Sequence, residues 1–265
     1  MDYLEDGSAI WEKIVRELRA AGCVFAEEEA RLLMSSSRND SELAQLVDRR
    51  VAGYPLEHVI GWADFCGIRI ELDTGIFVPR QRTEFLVRQA VALTRPGDVV
   101  VDLCCGSGAL GAALAALVGR IELHSVDIDP AAVQCARRNI RLDKGLVYEG
   151  DLYDPLPVRL YNRVHVMIAN APYVPTGAIP FMPTEARDHE ARIALDGGTD
   201  GLDVQRRIVA EASHWLEKGG VLLVETSEKQ APLTADLFTQ FGLNPKWVRS
   251  EELDANVIIG VRTDA

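Results

Sequence analysis

The stretch from Val99 to Leu110 constrains this chain more than any other. Val99-Val100-Val101 is a short apolar run without alternation, as expected of a strand buried on both faces of a parallel sheet. It leads through Asp102-Leu-Cys-Cys-Gly106-Ser-Gly108 into an apolar helix over 110–118. Glycines between a strand and a helix allow backbone conformations and close ligand approach that a Cβ forbids. In open α/β sheets such turns lie at the carboxyl ends of the strands, where nucleotides bind.

From residue 83 onward the same alternation continues. Apolar periodicity predicts helices over 84–93, 110–118, 131–142, 202–216 and 231–241. Between them fall strands at 99–101, 121–126, 146–148, 164–169, 221–225 and 257–261. This order implies a doubly wound α/β sheet with right-handed crossovers. Residues 1–54 have a different texture. Ser8 is a candidate N-cap for a helix carrying Ile10, Ile14, Val15 and Leu18 on one stripe, stopped by Gly22. Helices over 26–34 and 41–51 follow, the second with Asp40 as its cap. In the linker, 55–82, Ile68, Ile70 and Leu72 alternate with Arg69, Glu71 and Asp73. The turn signal Asp73-Thr74-Gly75 then predicts a β-hairpin returning through Ile76-Phe77-Val78. The expected organisation is therefore a helical region at 1–54, a hairpin linker at 55–82 and an α/β domain at 83–265.

Composition narrows the function classes. Across 265 residues, 48% are apolar, enough for a substantial core. A formal net charge of −12 argues against a protein that grips nucleic acid through phosphates, which leaves a basic footprint. The opening residues carry Asp2, Glu5, Asp6 and Glu12, so they do not read as a signal peptide, and the apolar run at 109–118 is too short to span a bilayer. Five cysteines without paired-ligand spacing read as reduced thiols in a cytoplasmic protein, with no metal site. The five histidines lack ligand spacing too, and Asp188-His189-Glu190 reads as a solvated loop.

Two motifs carry chemistry. Asp127 closes the second strand about 20 residues beyond the glycines, where a carboxylate recognises both hydroxyls of a ribose. Gly106-Ser-Gly108-Ala-Leu-Gly111 also satisfies the dinucleotide pattern, so a nicotinamide cofactor remains open at this point. Asp102 favours S-adenosylmethionine, because its charge beside the loop suits an ammonium and a sulfonium and repels a pyrophosphate. The second motif, Asn170-Ala171-Pro172-Tyr173, follows the strand at 164–169. An amide nitrogen is a poor nucleophile, since its lone pair is delocalised into the carbonyl. Methylating it requires holding the NH₂ in line and accepting its hydrogens. Asn170 offers a side-chain oxygen and Ala171 a main-chain carbonyl. Tyr173 can pack on the planar amide, and Pro172 restricts Ala171 to extended conformations.

With these residues in view, the chain resembles the HemK/PrmC family, the protein-(glutamine-N5) methyltransferases of peptide chain release factors. The resemblance runs through Pro55-Leu-Glu-His-Val-Ile-Gly61, Phe65-Cys-Gly-Ile68, Phe77-Val-Pro-Arg80 and Thr83-Glu84. It continues through the glycine loop, Asp127, Asp151-Leu152, Ala194-Leu-Asp-Gly-Gly198, Asp200-Gly201-Leu202 and Gly219-Gly220. It implies a class I, Rossmann-like methyltransferase with a mostly parallel seven-stranded sheet and S-adenosylmethionine as cofactor. It places Asp102, Cys104, Cys105, Gly106, Ser107, Gly108, Asp127, Asp151 and Leu152 at the cofactor. Asn170 would lie beside both cofactor and substrate, with Ala171, Pro172, Tyr173, Phe77 and Arg80 around the glutamine; Asn170, Pro172 and Tyr173 form the catalytic group. A protein partner such as a release factor, received by the N-terminal helices, is implied as well. The chain departs from the family at Ala171, where a proline is usual, at Cys104, where a glycine is usual, and at Arg82, where an acidic residue is usual. Other readings are an adenine amino-group methyltransferase, against which the acidic balance argues, and a cofactor-binding protein that has lost turnover.

Overall fold

A computed structural model of the chain describes residues 3–141 and 144–263. Four helices come first: α1 (Tyr3–Ala20), α2 (Ala26–Ser36), α3 (Asp40–Val51) and α4 (Leu56–Ile60). Their apolar stripes meet in one cluster that includes Ile14, Leu18, Ala30, Leu33, Val47 and Val59. The first helix begins at Tyr3, upstream of Ser8, so Ser8 is not its cap. Gly22 takes φ +91° after its end, the left-handed conformation that lets glycine close a helix. The cap of α3 is Asn39, whose side chain accepts from the Glu42 N–H; Asp40 is already helical.

The hairpin differs from the expected one. It pairs β1 (Trp62–Phe65) with β2 (Ile68–Glu71), antiparallel, around Cys66 and Gly67. Both turn residues have positive φ, +52° and +74°, as a tight two-residue connection matched to strand twist requires. Residues 76–78 form no strand. Instead Leu72, Ile76 and Val78 pack as a small cluster on Ala132 and Cys135.

The remaining elements build the sheet. They are α5 (Glu84–Leu93), β3 (Val99–Leu103), α6 (Ala109–Val118), β4 (Glu122–Asp127), α7 (Pro130–Asn139) and β5 (Gly145–Glu149). Then follow β6 (Val164–Ala169), α8 (Thr184–His189), α9 (Asp203–Trp215), β7 (Leu216–Thr226), α10 (Ala231–Gln240), β8 (Leu243–Ser250) and β9 (Ala255–Arg262). The end of the expected helix at Leu142 lies outside the described residues. The seven strands run in the order β5-β4-β3-β6-β7-β9-β8. The first five are mutually parallel, and β9 inserts antiparallel between β7 and β8. The chain order reverses at β3 and β6, which places a switch point between them.

Burial on both faces follows from the uninterrupted apolar strands. In β3, Val99, Val101 and Leu103 enter one core with α9 and α10 residues such as Ile208, Trp215 and Phe238. Val100 enters the other, with Leu86 and Val87 of α5 and Leu114 of α6. Phe65 and Ile70 of the hairpin join that second core, so the hairpin is packed onto the sheet domain.

Candidate active site

The carboxyl ends of β3, β4, β5 and β6 open onto a cavity of about 290 Å³, walled on its other side by parts of 75–83 and 191–196. Phe77, Arg80, Cys104, Cys105, Gly106, Ser107, Asp127, Asp151, Leu152 and Asn170 through Tyr173 all line it. Of the residues expected at the site, Asp102 and Gly108 stand behind the wall.

One half of the cavity is made by backbone. Cys104, Gly106 and Gly108 take φ of +55°, +55° and +78° in succession around the turn. Cys105 donates its N–H to the Val126 carbonyl at 3.0 Å, tying the turn to β4. A Cβ on Gly106 would meet no atom within 4 Å, so the space before this part of the loop is open. Gly108 is glycine for another reason: a Cβ there would lie 2.9 Å from Ile140 and 3.1 Å from Ala136. It permits α6 and α7 to pack. Cys104 holds a left-handed conformation that costs an ordinary residue about 1–2 kcal/mol. Burial pushes its thiol well above the usual range, which disfavours the reactive thiolate.

Asp102 is fully buried. Its Oδ2 accepts the Gly111 N–H at 3.0 Å inside α6, and its Oδ1 has no partner. Burial pushes its pKa to about 8, with Asp127 adding to the effect against the Gly111 bond. Burial thus disfavours the negative charge expected beside the loop, and Asp102 fastens the strand to the helix. Asp127, at the end of β4, is a carboxylate that does meet the cavity. Its Oδ2 accepts the Gly106 N–H at 2.7 Å and its Oδ1 the Asp129 N–H at 2.9 Å. Burial raises its pKa while these backbone N–H groups oppose the rise. Asp151 accepts from Arg207 at 2.8 Å, and Leu152 beside it turns through φ +48°.

Side chains far apart in sequence build the other half. Asn170 donates from Nδ2 to the Thr83 hydroxyl at 3.3 Å, and among the described residues nothing donates to its Oδ1. The Tyr173 hydroxyl donates to Glu225 Oε1 at 3.4 Å, and burial beside that carboxylate raises the phenol to about 12. Gln230 donates from one amide nitrogen to the carbonyls of Tyr173 and Asp200, both at 2.9 Å. The Leu195 carbonyl accepts from Val174 N–H at 3.0 Å, and Gly197 N–H returns to Val174 at 2.9 Å. A Cβ on Gly197 would lie 2.7 Å from the Pro172 carbonyl. Gly201, at φ +80°, is pressed against the Tyr173 carbonyl. Gly197 and Gly201 therefore back the Asn170–Tyr173 loop and do not meet the cavity.

Arg80 is committed to a partner. It binds both oxygens of Glu190 at 2.6 and 2.7 Å and lies 4.8 Å over the Phe77 ring. Glu190 is buried and also accepts the Val78 N–H, so Asp188-His189-Glu190 is not a solvated loop. Sequence reasoning gave no role to Thr83, Arg207, Glu225 or Gln230. A polar residue ending the apolar run of β7 was the available signal for Glu225.

The family model described as the methyltransferase small domain matches residues 81–196. A release factor glutamine methyltransferase of Streptomyces coelicolor is 37% identical over 205 residues, covering 76% of this chain and 73% of the relative. The chain belongs to the release factor glutamine methyltransferase family. Another relative, a 4-amino-L-phenylalanine/4-methylamino-L-phenylalanine methyltransferase of Streptomyces pristinaespiralis, is 36% identical over 203 residues, 74% of this chain and 69% of its own. A methyltransferase structure from Pyrococcus furiosus superposes with a TM-score of 0.56 at 16% identity, covering 75% of this chain and 90% of that one, a likeness of fold. As a member of this family the chain uses S-adenosylmethionine. Its residues fit that group: a carboxylate in the wall at the end of β4, an open glycine face before the loop, and a second acid, Asp151, after β5. Among the described residues no cluster of His, Cys, Asp and Glu could hold a metal ion.

Proposed function

We propose that this protein methylates the N5 amide nitrogen of a glutamine in a peptide chain release factor. The observation that carries this reading is the free Oδ1 of Asn170, on a residue lining the same cavity as Asp127. S-adenosylmethionine, when bound, supplies a methyl group on a sulfonium. Asp127 would hold its ribose, Gly106 would let its amino-acid part approach the backbone, and Asp151 and Leu152 would border the adenine. Asn170 Oδ1 and the Ala171 carbonyl accept the two amide hydrogens, which fixes the nitrogen's lone pair in one direction. Pro172 and Tyr173 pack on the amide plane, while Phe77 and Arg80 close the wall. A methylated amide carrying an extra proton is a strong acid, so water takes that proton without a basic side chain.

Residues 1–54 are read as the part that receives the protein substrate. Their described residues form an apolar cluster together with Val59 and contribute nothing to the cavity wall. The net charge of −12 supports a protein partner over nucleic acid. No described helix is long and apolar enough to cross a membrane. The test is to incubate the protein with labelled S-adenosylmethionine and a release factor, and to map the label by mass spectrometry. Label on a single glutamine, lost when that glutamine is replaced, supports the assignment. Transfer to a free aromatic amine and not to the protein would favour the second reading, which the Streptomyces pristinaespiralis relative brings in.

A further inference from the structure

Glu225, next to the last residue of β7, is only 2% exposed, and no step of the proposed chemistry uses it. Its neighbours all approach it as donors. The Tyr173 hydroxyl donates to Oε1 at 3.4 Å, Arg82 Nε stands 3.7 Å from the same oxygen, and the Thr83 hydroxyl pairs with the carboxylate. Oε2 has no partner. A guanidinium can only donate. Burial raises the Glu225 pKa, and Thr83, Arg82 and Tyr173 oppose the rise. Three groups able to donate thus converge on one buried carboxyl.

That fixes the direction of the neighbouring bonds. A hydroxyl has one hydrogen, and if Thr83 spends it on Glu225, its oxygen can only accept from other groups. It accepts from Asn170, at 3.3 Å from Nδ2. With Nδ2 held there, Asn170 Oδ1 is left as a free acceptor. The orientation matters because an amide has a donor end and an acceptor end of nearly the same shape. A flipped Asn170 would set its NH₂ against the NH₂ of a glutamine, donor against donor.

We propose that Glu225 is a positioning residue: acting through Thr83, it sets the hydrogen-bond polarity of Asn170, so that Oδ1 receives the substrate's amide hydrogens. Arg82 is the counter-charge that keeps Glu225 an acceptor, which gives this departure from the family pattern a role. The proposal rests on the reading of Asn170 given above, so one of its two tests needs no substrate.

The first test is kinetic, on full-length protein with a release factor as methyl acceptor. Glu225→Gln keeps the shape but can donate as well as accept. It should lower kcat about tenfold or more by weakening one positioned hydrogen bond. Cofactor Kd by calorimetry should stay within about twofold, because the donor half is untouched. Thr83→Val should match that loss and Thr83→Ser should recover most of it, since only the hydroxyl is needed. The double variant Thr83→Val/Glu225→Gln should be no worse than the poorer single variant, as two breaks in one relay require. Additive losses, wild-type kcat in Glu225→Gln, or Thr83→Ser as damaged as Thr83→Val would overturn the relay. If Glu225→Gln does not fold, the two Thr83 variants decide the matter alone. The second test follows the side-chain NH₂ of Asn170 by NMR in ¹⁵N-asparagine-labelled protein without substrate. Slowed hydrogen exchange in wild type, lost in Thr83→Val, supports the relay; identical exchange in both refutes it. Should wild type methylate no release-factor glutamine, the function reading fails, while this second result still judges the hydrogen-bond relay.

Discussion

The two halves of the cavity are built on different principles. The cofactor half takes its shape from main chain: left-handed conformations at the alternate residues 104, 106 and 108, a backbone bond from Cys105 to β4, and Asp127 fastened by two N–H groups. The acceptor half takes its shape from side chains at 83, 225 and 230 and in the 170–173 loop, stretches far apart in sequence that meet only in the fold. Backbone construction tolerates changes of side chain and fixes where a common ligand sits. Side-chain construction can be retuned residue by residue, which suits the half that must tell one substrate from another.

The largest expected effect lies in the acceptor half. Asn170→Ala should lower kcat/KM on a release factor by roughly 10²-fold or more, through loss of an acceptor engaged in the transition state. Cofactor Kd should hardly change. A loss shared between kcat/KM and cofactor binding would mean that the halves are not separable. In the cofactor half, Asp127→Ala should weaken S-adenosylmethionine binding by about 10- to 100-fold, the range for hydrogen bonds to a charged group. At saturating cofactor its kcat should recover most of the wild-type value. Unchanged affinity in calorimetry would remove Asp127 from the ribose.

Asp102 gives a pH test of the buried floor beneath that half. Its pKa rises from about 3.9 in an unfolded chain to about 8 in the fold. Between those values the folded state holds a proton that the unfolded state has released. Stability from this group is therefore full below pH 4 and is lost as pH rises toward 8. Urea melts of wild type and Asp102→Asn should converge or cross in that direction, with wild type relatively stronger in acid. The opposite slope would mean that Asp102 is ionised in the fold.

Much of the cofactor half was legible in sequence because its determinants are local. Glycines, a strand end and an acid about 20 residues on lie within one βαβ unit, and Asp127, Gly106 and Asp151 line the cavity as expected. The placement of Asp102 was not legible, since residue order does not show that a carboxylate at a strand end points into the core, behind the cavity wall. The acceptor half showed only its loop. Thr83, Glu225 and Gln230 lie far from Asn170 in sequence, and hydrogen bonds across such separations leave no local pattern. The strand β8 was missed for a related reason: it is an edge strand carrying Asn244, Pro245, Lys246 and Arg249, residues an edge can bear but a pattern search discounts. The hairpin was misplaced because Asp73-Thr74-Gly75 is a stronger turn signal than Cys66-Gly67, whose first residue must adopt a conformation that cysteine seldom takes.

The smallest expected effects concern the two departures that touch only backbone. Among the described residues no turn or loop hydrogen bond uses the Ala171 N–H, so Ala171→Pro should keep kcat/KM within about threefold and keep the fold. Cys104→Gly should shift stability by no more than about 1 kcal/mol, as relief at φ +55° is set against the added freedom of glycine when unfolded. Thermal melts and kinetics on both variants would measure this. A collapse of activity in either, with the fold intact, would show that these side chains discriminate substrates.

Gly197 and Gly201 touch no proposed ligand, yet each faces a carbonyl of the loop that holds the amide. In a saturation-mutagenesis survey they would rank with Asn170 among the least replaceable positions, and every substitution would score as a loss of function. A map of intolerance drawn from such data would therefore outline a site larger than the one where chemistry happens. Its surplus would mark the scaffold that keeps the Pro172 and Tyr173 carbonyls in place.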